Sequence, residues 1–204
     1  MLVGIVADVH EEADALRRAL DAFRQCGVDQ VVTLGDTCDV MFRESRAAEV
    51  VTLMRDAGAT GVWGNHDYSL CREISEPCRQ RYSPEVLDFM AGMQGHLAIG
   101  DCLFSHVEPW LDPHDPMQLW YYEGLPDTDE KRQRTFDAVA QRFMFIGHFH
   151  RWLAMTPAGP VDWDGNRPIL LDGDTRYLIA VGAVVDGHCG TFDTDRHVLT
   201  PLRV

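Results

Sequence analysis

Hydrophobic and polar positions follow two patterns in turn along the first third of the chain. Short apolar runs at residues 2–7, 31–34 and 60–63 are typical of buried strands. Between them, residues 11–26 and about 43–57 place apolar side chains three and four positions apart and end at glycine, which predicts amphipathic helices. This β-α-β-α-β order predicts an α/β fold with a parallel sheet and right-handed crossovers.

The pattern changes in the middle of the chain. Residues 68–82 are predicted to form a loop, and residues 84–90 a short helix. Two apolar runs, at residues 96–99 and 102–105, flank a Gly-Asp pair and predict a hairpin.

The last half begins with residues 107–128, which are rich in Pro, Asp and aromatic residues and are too long for a simple connection. A helix is predicted at about 129–141 and a buried strand at 143–146. The tail, about 151–204, has short apolar runs separated by Asp and Gly, which predicts antiparallel strands. Because no repeat or linker divides the sequence, residues 1–204 are predicted to form a single domain.

Charge restricts the class of partner. The 204 residues include 18 Lys and Arg and 32 Asp and Glu, for a formal net charge of −14. Proteins that bind the phosphates of a nucleic-acid duplex or an anionic membrane normally present a basic face, so we expect neither partner. A small anionic substrate remains compatible with this composition, because bound divalent cations can reverse the local field.

The cysteines and the first residues indicate the compartment. Six cysteines form no Cys-x-x-Cys pair, which favours reduced thiols in a reducing compartment. The first residues lack the basic region of a signal peptide, and no apolar run reaches the about 18 residues of a membrane span. The sequence therefore predicts a cytoplasmic protein and leaves its oligomeric state open.

Side chains that bind metals follow five of the predicted strands at the point where each strand ends. They are Asp8 and His10, then Asp36, then Asn65, His66 and Asp67, then His106, and finally His148 and His150. Each fragment alone is weak, because a Gly-Asp pair is usually a turn and a lone histidine is usually structural. Sites in open α/β sheets form beyond the carboxyl ends of the strands, so five such segments together indicate a metal site at one edge.

The order Asp-x-His, Gly-Asp, Gly-Asn-His-Asp, His and Gly-His-x-His resembles the calcineurin-like metallophosphoesterases, and most of all their small bacterial phosphodiesterase type. The resemblance runs from Asp8 to His150 and includes the all-β tail. It implies a four-layer α/β/β/α sandwich with mixed sheets and a binuclear metal site. The implied activity is hydrolysis of a small phosphodiester or phosphomonoester by attack of a metal-bridging hydroxide.

The resemblance also implies a role for each residue. Asp8, His10, Asp36 and His150 would hold one metal ion, and Asp36, Asn65, His106 and His148 would hold the other. His66 would bind no metal and would protonate the leaving alkoxide, with Asp67 as its orienting partner. Mixed imidazole, carboxylate and amide ligands favour two divalent transition ions, Mn before Fe, Zn, Ni or Co, over Mg or Ca.

Departures from the family pattern reduce the number of substrate classes to consider. Glu11 follows His10 where many relatives carry Gly-Asn, a change that we expect at the rim of the pocket. The residues after Asp36 lack the Arg-Gly with which Ser/Thr protein phosphatases and diadenosine-tetraphosphate hydrolases grip phosphate. Both substrate classes are therefore disfavoured.

Two interpretations of residues 107–126 remain open. This segment carries Trp110, Trp120, Tyr121 and Tyr122 close to His106. It is either a cap that stacks a nucleobase or another flat leaving group, or a long loop that packs its own aromatic side chains.

The alternative function is a non-catalytic protein-interaction scaffold on the same fold, with metal ligands but without turnover. The presence of His66 favours the enzyme. A metallo-β-lactamase type of binuclear hydrolase is excluded, because it needs His-x-His-x-Asp-His, whereas Arg151 and Trp152 follow His150 here.

Overall fold

The computed structural model describes residues 1–41, 45–72 and 74–204. Two six-stranded sheets pack face to face between outer helices, so the expected four-layer α/β/β/α sandwich with mixed sheets is confirmed. Residues 43 and 44, the predicted start of the second helix, lie outside the described residues.

The first half of the chain contains β1 (Leu2–Val6), α1 (Ala13–Cys26), β2 (Gln30–Thr33), α2 (Ala47–Asp56), β3 (Thr60–Gly61), α3 (Tyr68–Cys71), α4 (Glu76–Arg81) and α5 (Pro84–Ala91). The second half contains β4 (His96–Ile99), β5 (Cys102–Ser105), α6 (Pro116–Leu119), α7 (Asp129–Ala138), β6 (Phe143–Ile146), β7 (Leu153–Thr156), β8 (Gly159–Pro160), β9 (Ile169–Leu170), β10 (Tyr177–Ala180), a 3₁₀ turn (Val184–Asp186), β11 (His188–Asp193) and β12 (Val198–Arg203).

The first sheet has the strand order β3-β2-β1-β11-β12-β9, and the second has the order β4-β5-β6-β10-β7-β8. Strands β1, β2 and β3 are parallel, as the β-α-β-α-β pattern predicts. The predicted hairpin is present as β4 and β5.

The prediction of an antiparallel tail is wrong for one strand. β10 runs parallel to β6, with Tyr177 opposite Phe143, whereas β7, β8, β9, β11 and β12 make antiparallel pairs in the described structure. Between β8 and β10 the chain passes through the first sheet, where it forms β9. It then re-enters the second sheet as β10, which runs parallel to β6. A short apolar run carries no signal for its direction, so this crossover was not predictable from the pattern.

The predicted loop at residues 68–82 is also wrong, because α3 and α4 lie within it; residue 73 is outside the described residues. Pro77 stands in the first turn of α4, a position that suits proline because the N–H it lacks has no partner there. Both helices are too short to show an apolar period. Among the other predicted elements, α1 begins two residues later than expected and α7 ends three residues earlier.

A continuous apolar core fills the space between the sheets. Phe104 and Phe145 stack at 5.3 Å between ring centroids, and Phe192 of the facing sheet lies 5.0 Å from Phe145. Helices α1 and α2 cover the outer face of the first sheet, and Phe136 of α7 packs on the outer face of the second. This arrangement brings the carboxyl ends of β1, β2, β5 and β6 to one edge of the molecule.

Two further findings concern the cysteines and the helices. All six cysteines are free thiols. Within the described ranges, no helix is long and apolar enough to cross a membrane.

Candidate metal centre

The backbone turns sharply where the strands end. Among the described residues, seven non-glycine residues have positive φ, and six of them lie in the segments that directly follow strands. These six are Asp8, His10, Glu11, Asp36, His148 and His150, with φ between 45° and 67°. Such conformations cost on the order of 1–3 kcal/mol each and persist where the surrounding structure holds them. The turns point side chains from both sheets into one space.

Two glycines allow the segments that follow β2 and β3 to come into contact. A Cβ atom on Gly64 would lie 2.1 Å from the Asp36 Oδ1 atom, and a Cβ on Gly35 would lie 2.5 Å from the backbone nitrogen of Gly64. Gly35 also has a φ of 94°. Only glycine fits such an approach, which explains why glycine precedes both Asp36 and Asn65.

One group of side chains joins the ends of β1 and β6. His10 Nε2 lies 3.3 Å from His150 Nε2, and His150 Nε2 lies 3.6 Å from Asp8 Oδ1. The ligand atoms of these three residues all lie within 4.8 Å of one another. Two imidazole nitrogens and a carboxylate that face each other at this distance present converging lone pairs.

A second group surrounds Asn65. Its Oδ1 atom lies 2.8 Å from His106 Nε2 and 3.1 Å from His148 Nδ1. Asp36 lies between the two groups, because its Oδ2 atom is 3.4 Å from His106 Nε2 and 3.7 Å from His10 Nε2. The structure therefore brings all seven predicted metal ligands together in one set, the metal-ligand cluster. Within it the Asp36 carboxylate contacts both groups of side chains.

Each histidine of the cluster has one ring nitrogen near an acceptor outside it. The contacts are His10 Nδ1 to Asp39 Oδ2 (3.4 Å), His106 Nδ1 to Leu34 O (2.7 Å), His148 Nε2 to Tyr121 O (3.3 Å) and His150 Nδ1 to Asp186 Oδ2 (3.4 Å). Such a contact fixes the ring and leaves the lone pair of the other nitrogen for a metal. These four acceptors were missed by sequence reasoning, because each is distant in the chain from its histidine.

Burial controls the charge of the cluster. Asp8 is fully buried, and both burial and the nearby Asp36 carboxylate raise its pKa well above the usual value for aspartate. Burial, followed by the neighbouring His106, lowers the pKa of His148 to about 4, and burial also lowers the pKa of His106. Neutral imidazoles beside crowded carboxylates form a donor set that a divalent transition cation would neutralise and satisfy.

His66 lies beside a carboxylate other than the predicted one. Its Nδ1 atom is 2.9 Å from Asp39 Oδ2, within ion-pair distance, although it makes no well-directed hydrogen bond. Asp67 instead accepts hydrogen bonds from the backbone N–H groups of Gly64 (2.6 Å) and Thr37 (2.7 Å). The carboxylate that faces His66 is therefore Asp39, and Asp67 holds the turn together. Asp39 follows Asp36 by three residues, so the missing signal lay in the segment directly after the Gly-Asp motif.

Glu11 holds the segment that carries Asp39 in place. Its side chain is buried, and its carboxylate accepts hydrogen bonds from the backbone N–H groups of Asp39 (3.1 Å) and Arg46 (2.5 Å) and from the Ser45 hydroxyl (3.0 Å). Glu11 thereby links the end of β1 to the stretch that carries Asp39. The expectation that Glu11 lies at the pocket rim is wrong, because its buried side chain is an internal support.

The aromatic side chains of residues 107–126 divide into two pairs. Trp110 packs edge to face on Tyr121 with 5.4 Å between ring centroids. Trp120 is 50% exposed and its ring lies 4.9 Å from that of His66, while Tyr122 is 60% exposed and lies 6.0 Å from His148. One pair therefore packs within the segment and the other flanks the metal-ligand cluster.

Comparison with known proteins agrees with this architecture. Residues 1–163 match the family model described as the calcineurin-like phosphoesterase superfamily domain. A curated relative, an uncharacterized protein of Methanocaldococcus jannaschii, is 25% identical in an alignment 199 residues long that covers 90% of this chain and 76% of the relative. The family resemblance inferred from the motifs is thereby confirmed.

Two solved structures share the fold. A metallophosphoesterase from Sphaerobacter thermophilus aligns with a TM-score of 0.72 at 23% identity, covering 100% of this chain and 88% of the other. An archaeal phosphodiesterase aligns with a TM-score of 0.57 at 15% identity, covering 100% of both chains. The two-sheet sandwich thus recurs in proteins of different sequence.

Proposed function

The chain belongs to the calcineurin-like phosphoesterase superfamily, a family of metal-dependent hydrolases, and on this premise we propose that it is a binuclear phosphoesterase. The observation that carries the proposal is the convergence of seven ligand side chains from five segments, with the Asp36 carboxylate in contact with both groups. A purely structural cluster has no need of four histidines that each direct one nitrogen inward.

The donor set would serve two ions, with Asp36 as a ligand in both groups. Asp8, His10, Asp36 and His150 would hold one, and Asp36, Asn65, His106 and His148 would hold the other. When bound, two dications supply positive charge that attracts a phosphate and activates water as the nucleophile. Manganese is the ion we expect to work best, because the ligands mix imidazole, carboxylate and amide groups.

His66 is the proton donor in this proposal. Asp39 lies next to its Nδ1 atom, which leaves Nε2 as the nitrogen that protonates the leaving oxygen. The side chain of His66 is 23% exposed, whereas those of Asp36 and His106 are buried, so a substrate can reach the His66 ring from solvent. An acid in this position touches the substrate without binding a metal.

The proposed substrate is a small phosphodiester or phosphomonoester. The net charge of −14 disfavours binding to a nucleic-acid duplex or to an anionic membrane, where many phosphates must be neutralised at once. A single phosphate, in contrast, needs only the local charge of the two cations.

The test combines metal analysis with a panel of phosphoesters. Apo-protein is assayed on p-nitrophenyl phosphate, its phosphodiester and cyclic nucleotides after addition of Mn, Ni, Zn or Mg. We expect binding to approach two metal ions per chain and Mn to restore more activity than Mg. Asp36→Asn should lower kcat/KM by about 10³-fold or more, because charge stabilisation by the metals contributes several kcal/mol. The matched control, Asp56→Asn, changes an exposed carboxylate and should have no effect.

Two results would contradict the proposal. Binding that saturates at one ion and is unchanged in Asp36→Asn would exclude the shared carboxylate. Two bound ions without hydrolysis of any ester would favour the interaction scaffold.

A further inference from the structure

A cavity of about 350 Å³ opens beside His66, between α3 and α6. Its walls include Val40, Asn65, Tyr68, Ser69, Leu119 and Trp120. Asn65 belongs to the metal-ligand cluster, and the Trp120 ring lies 4.9 Å from the ring of His66. The cavity therefore adjoins both the metal-ligand cluster and His66, the proposed proton donor.

The walls of the cavity are held in place before any ligand binds. The indole N–H of Trp63 donates a hydrogen bond to Pro113 O (2.9 Å), and the hydroxyl of Tyr68 donates one to His114 O (3.0 Å). Asp115 caps α6 by accepting a hydrogen bond from Met117 N (2.9 Å). A preformed wall lowers the entropic cost of binding.

The chemistry of the walls suits a flat, uncharged group. Trp120 is 50% exposed and presents an indole face, the kind of surface on which bases and aryl rings stack. The described residues that line the cavity are all uncharged. Arg81 is not among the lining residues, and its guanidinium donates a hydrogen bond to the carbonyl oxygen of Val40 (3.0 Å). A second phosphate would bind poorly here, because phosphate sites rely on charge-assisted hydrogen bonds.

We infer that this cavity binds the leaving group of the ester, and that the leaving group is a flat, uncharged organic group such as a nucleoside. The inference rests on the proposed phosphoesterase function. In the reaction, water forms a new P–O bond as the P–O bond to the nucleoside breaks. The leaving oxygen takes a proton from His66, the nucleoside departs neutral, and the proton that the attacking water loses restores the protonated His66.

The experiment compares two leaving groups of similar basicity. Adenosine 5′-monophosphate and glycerol 3-phosphate both release a primary alkoxide, but only the first carries a flat base; their methyl diesters replace them if diesters are the better substrates. We expect the Mn-loaded wild type to prefer the adenosine ester in kcat/KM. Trp120→Ala should reduce this preference by about tenfold, in the range of alanine substitutions at base-stacking sites. Adenosine 3′,5′-bisphosphate, which has a charged leaving group, should be hydrolysed more slowly than the monophosphate.

Two further variants separate stacking from general disturbance. Trp120→Phe keeps an aromatic face and should retain most of the preference. Tyr122→Ala removes the other exposed aromatic side chain, on the His148 side of the cluster, and should leave the ratio of the two esters unchanged.

A binding measurement keeps this inference distinct from the proposed function. Saturation-transfer NMR with adenosine alone should show transfer to the base in wild type and a loss of transfer in Trp120→Ala, whether or not any ester is hydrolysed. Hydrolysis with equal loss on both esters in Trp120→Ala would overturn the leaving-group site and leave the phosphoesterase intact. Absence of turnover with adenosine binding intact would overturn the phosphoesterase and retain the site. Absence of adenosine transfer in wild type, or faster hydrolysis of the bisphosphate, would overturn the inference.

Discussion

The metal-ligand cluster and the aromatic segment, residues 107–126, meet at His66 but are built differently. In the cluster, short and strained turns after strands hold side chains that are mostly buried, and each imidazole has a second contact. In the segment, a single short helix and a few distant contacts hold the chain, and two aromatic side chains remain half exposed. One region is restrained at every residue and the other only at intervals.

This difference in structure matches a difference in role: we expect the cluster to carry the chemistry and the aromatic segment to set substrate preference. A reaction at phosphorus requires ligand atoms at fixed positions, which strand ends and second contacts provide. A leaving-group pocket requires only a surface of suitable shape and polarity, so an irregular segment is sufficient. Changes in the cluster should therefore abolish turnover, whereas changes in the segment should alter preference or stability.

The largest effect is expected from His66→Gln. An alkoxide needs its proton in the transition state, whereas nitrophenolate leaves without much help. We expect kcat on an alkyl ester to fall by about 10²–10⁴-fold, the usual span for acid–base catalysis, and by less on a p-nitrophenyl ester. Metal content should stay unchanged.

The control is His197→Gln, which lies in the turn between β11 and β12 and should affect neither ester. Equal loss on the two esters in His66→Gln would show that His66 positions phosphate rather than donating a proton.

An intermediate effect is expected from Glu11→Gln. The amide cannot reproduce the charge-assisted bonds that Glu11 makes with Asp39 and Arg46, so the free energy of unfolding should fall by about 1.5–3 kcal/mol. Displacement of Asp39 should lower kcat by about 10–100-fold, as is usual for residues that orient a site.

The neighbouring Glu12→Gln is the matched control, because that side chain is exposed and should change neither quantity. If Glu11 acts through Asp39, Asp39→Asn should change the dependence on the leaving group in the same way, and the double variant should be no worse than the more severe single one. Additive losses in kcat would contradict this link.

The smallest effect concerns Glu108, the second residue of the aromatic segment. Its buried carboxylate has no hydrogen-bond partner in the described structure and lies 3.9 Å from Lys131 Nζ. Burial raises the pKa of Glu108 above its usual value, so the folded protein holds this proton more tightly than the unfolded chain does. The resulting stability is present below the unfolded pKa and is lost as pH rises through the folded pKa.

Glu108→Gln removes this loss. The free energy of unfolding of the variant, relative to wild type, should therefore be more favourable at about pH 7 than at about pH 4, by about 1.36 kcal/mol for each unit of raised pKa. Urea unfolding at both pH values measures this difference, with exposed Glu130→Gln as the control. An equal difference at both pH values would contradict the prediction.

Much of the fold and most of the candidate site were predictable from local signals. The runs at residues 96–99, 102–105 and 143–146 coincide with β4, β5 and β6. All residues of β5 and β6 are buried, and a buried strand needs consecutive apolar side chains. Within each sheet, the polar residues that follow neighbouring parallel strands lie at the same edge, since the carboxyl ends of such strands lie together, and the stacking of the two sheets then joins the two sets. Residue order therefore determined which side chains converge.

Tertiary structure alone decided which partner each side chain meets. His106 donates to Leu34 O from the facing sheet, and His66 faces Asp39 rather than its neighbour Asp67. The ring of Trp120 flanks the cluster, whereas the ring of the adjacent Tyr121 packs on Trp110. These choices depend on how two sheets stack and how a loop crosses their edge, which no local period of the chain encodes. The same reason leaves the direction of β10 undetermined until the strands beside it are in place.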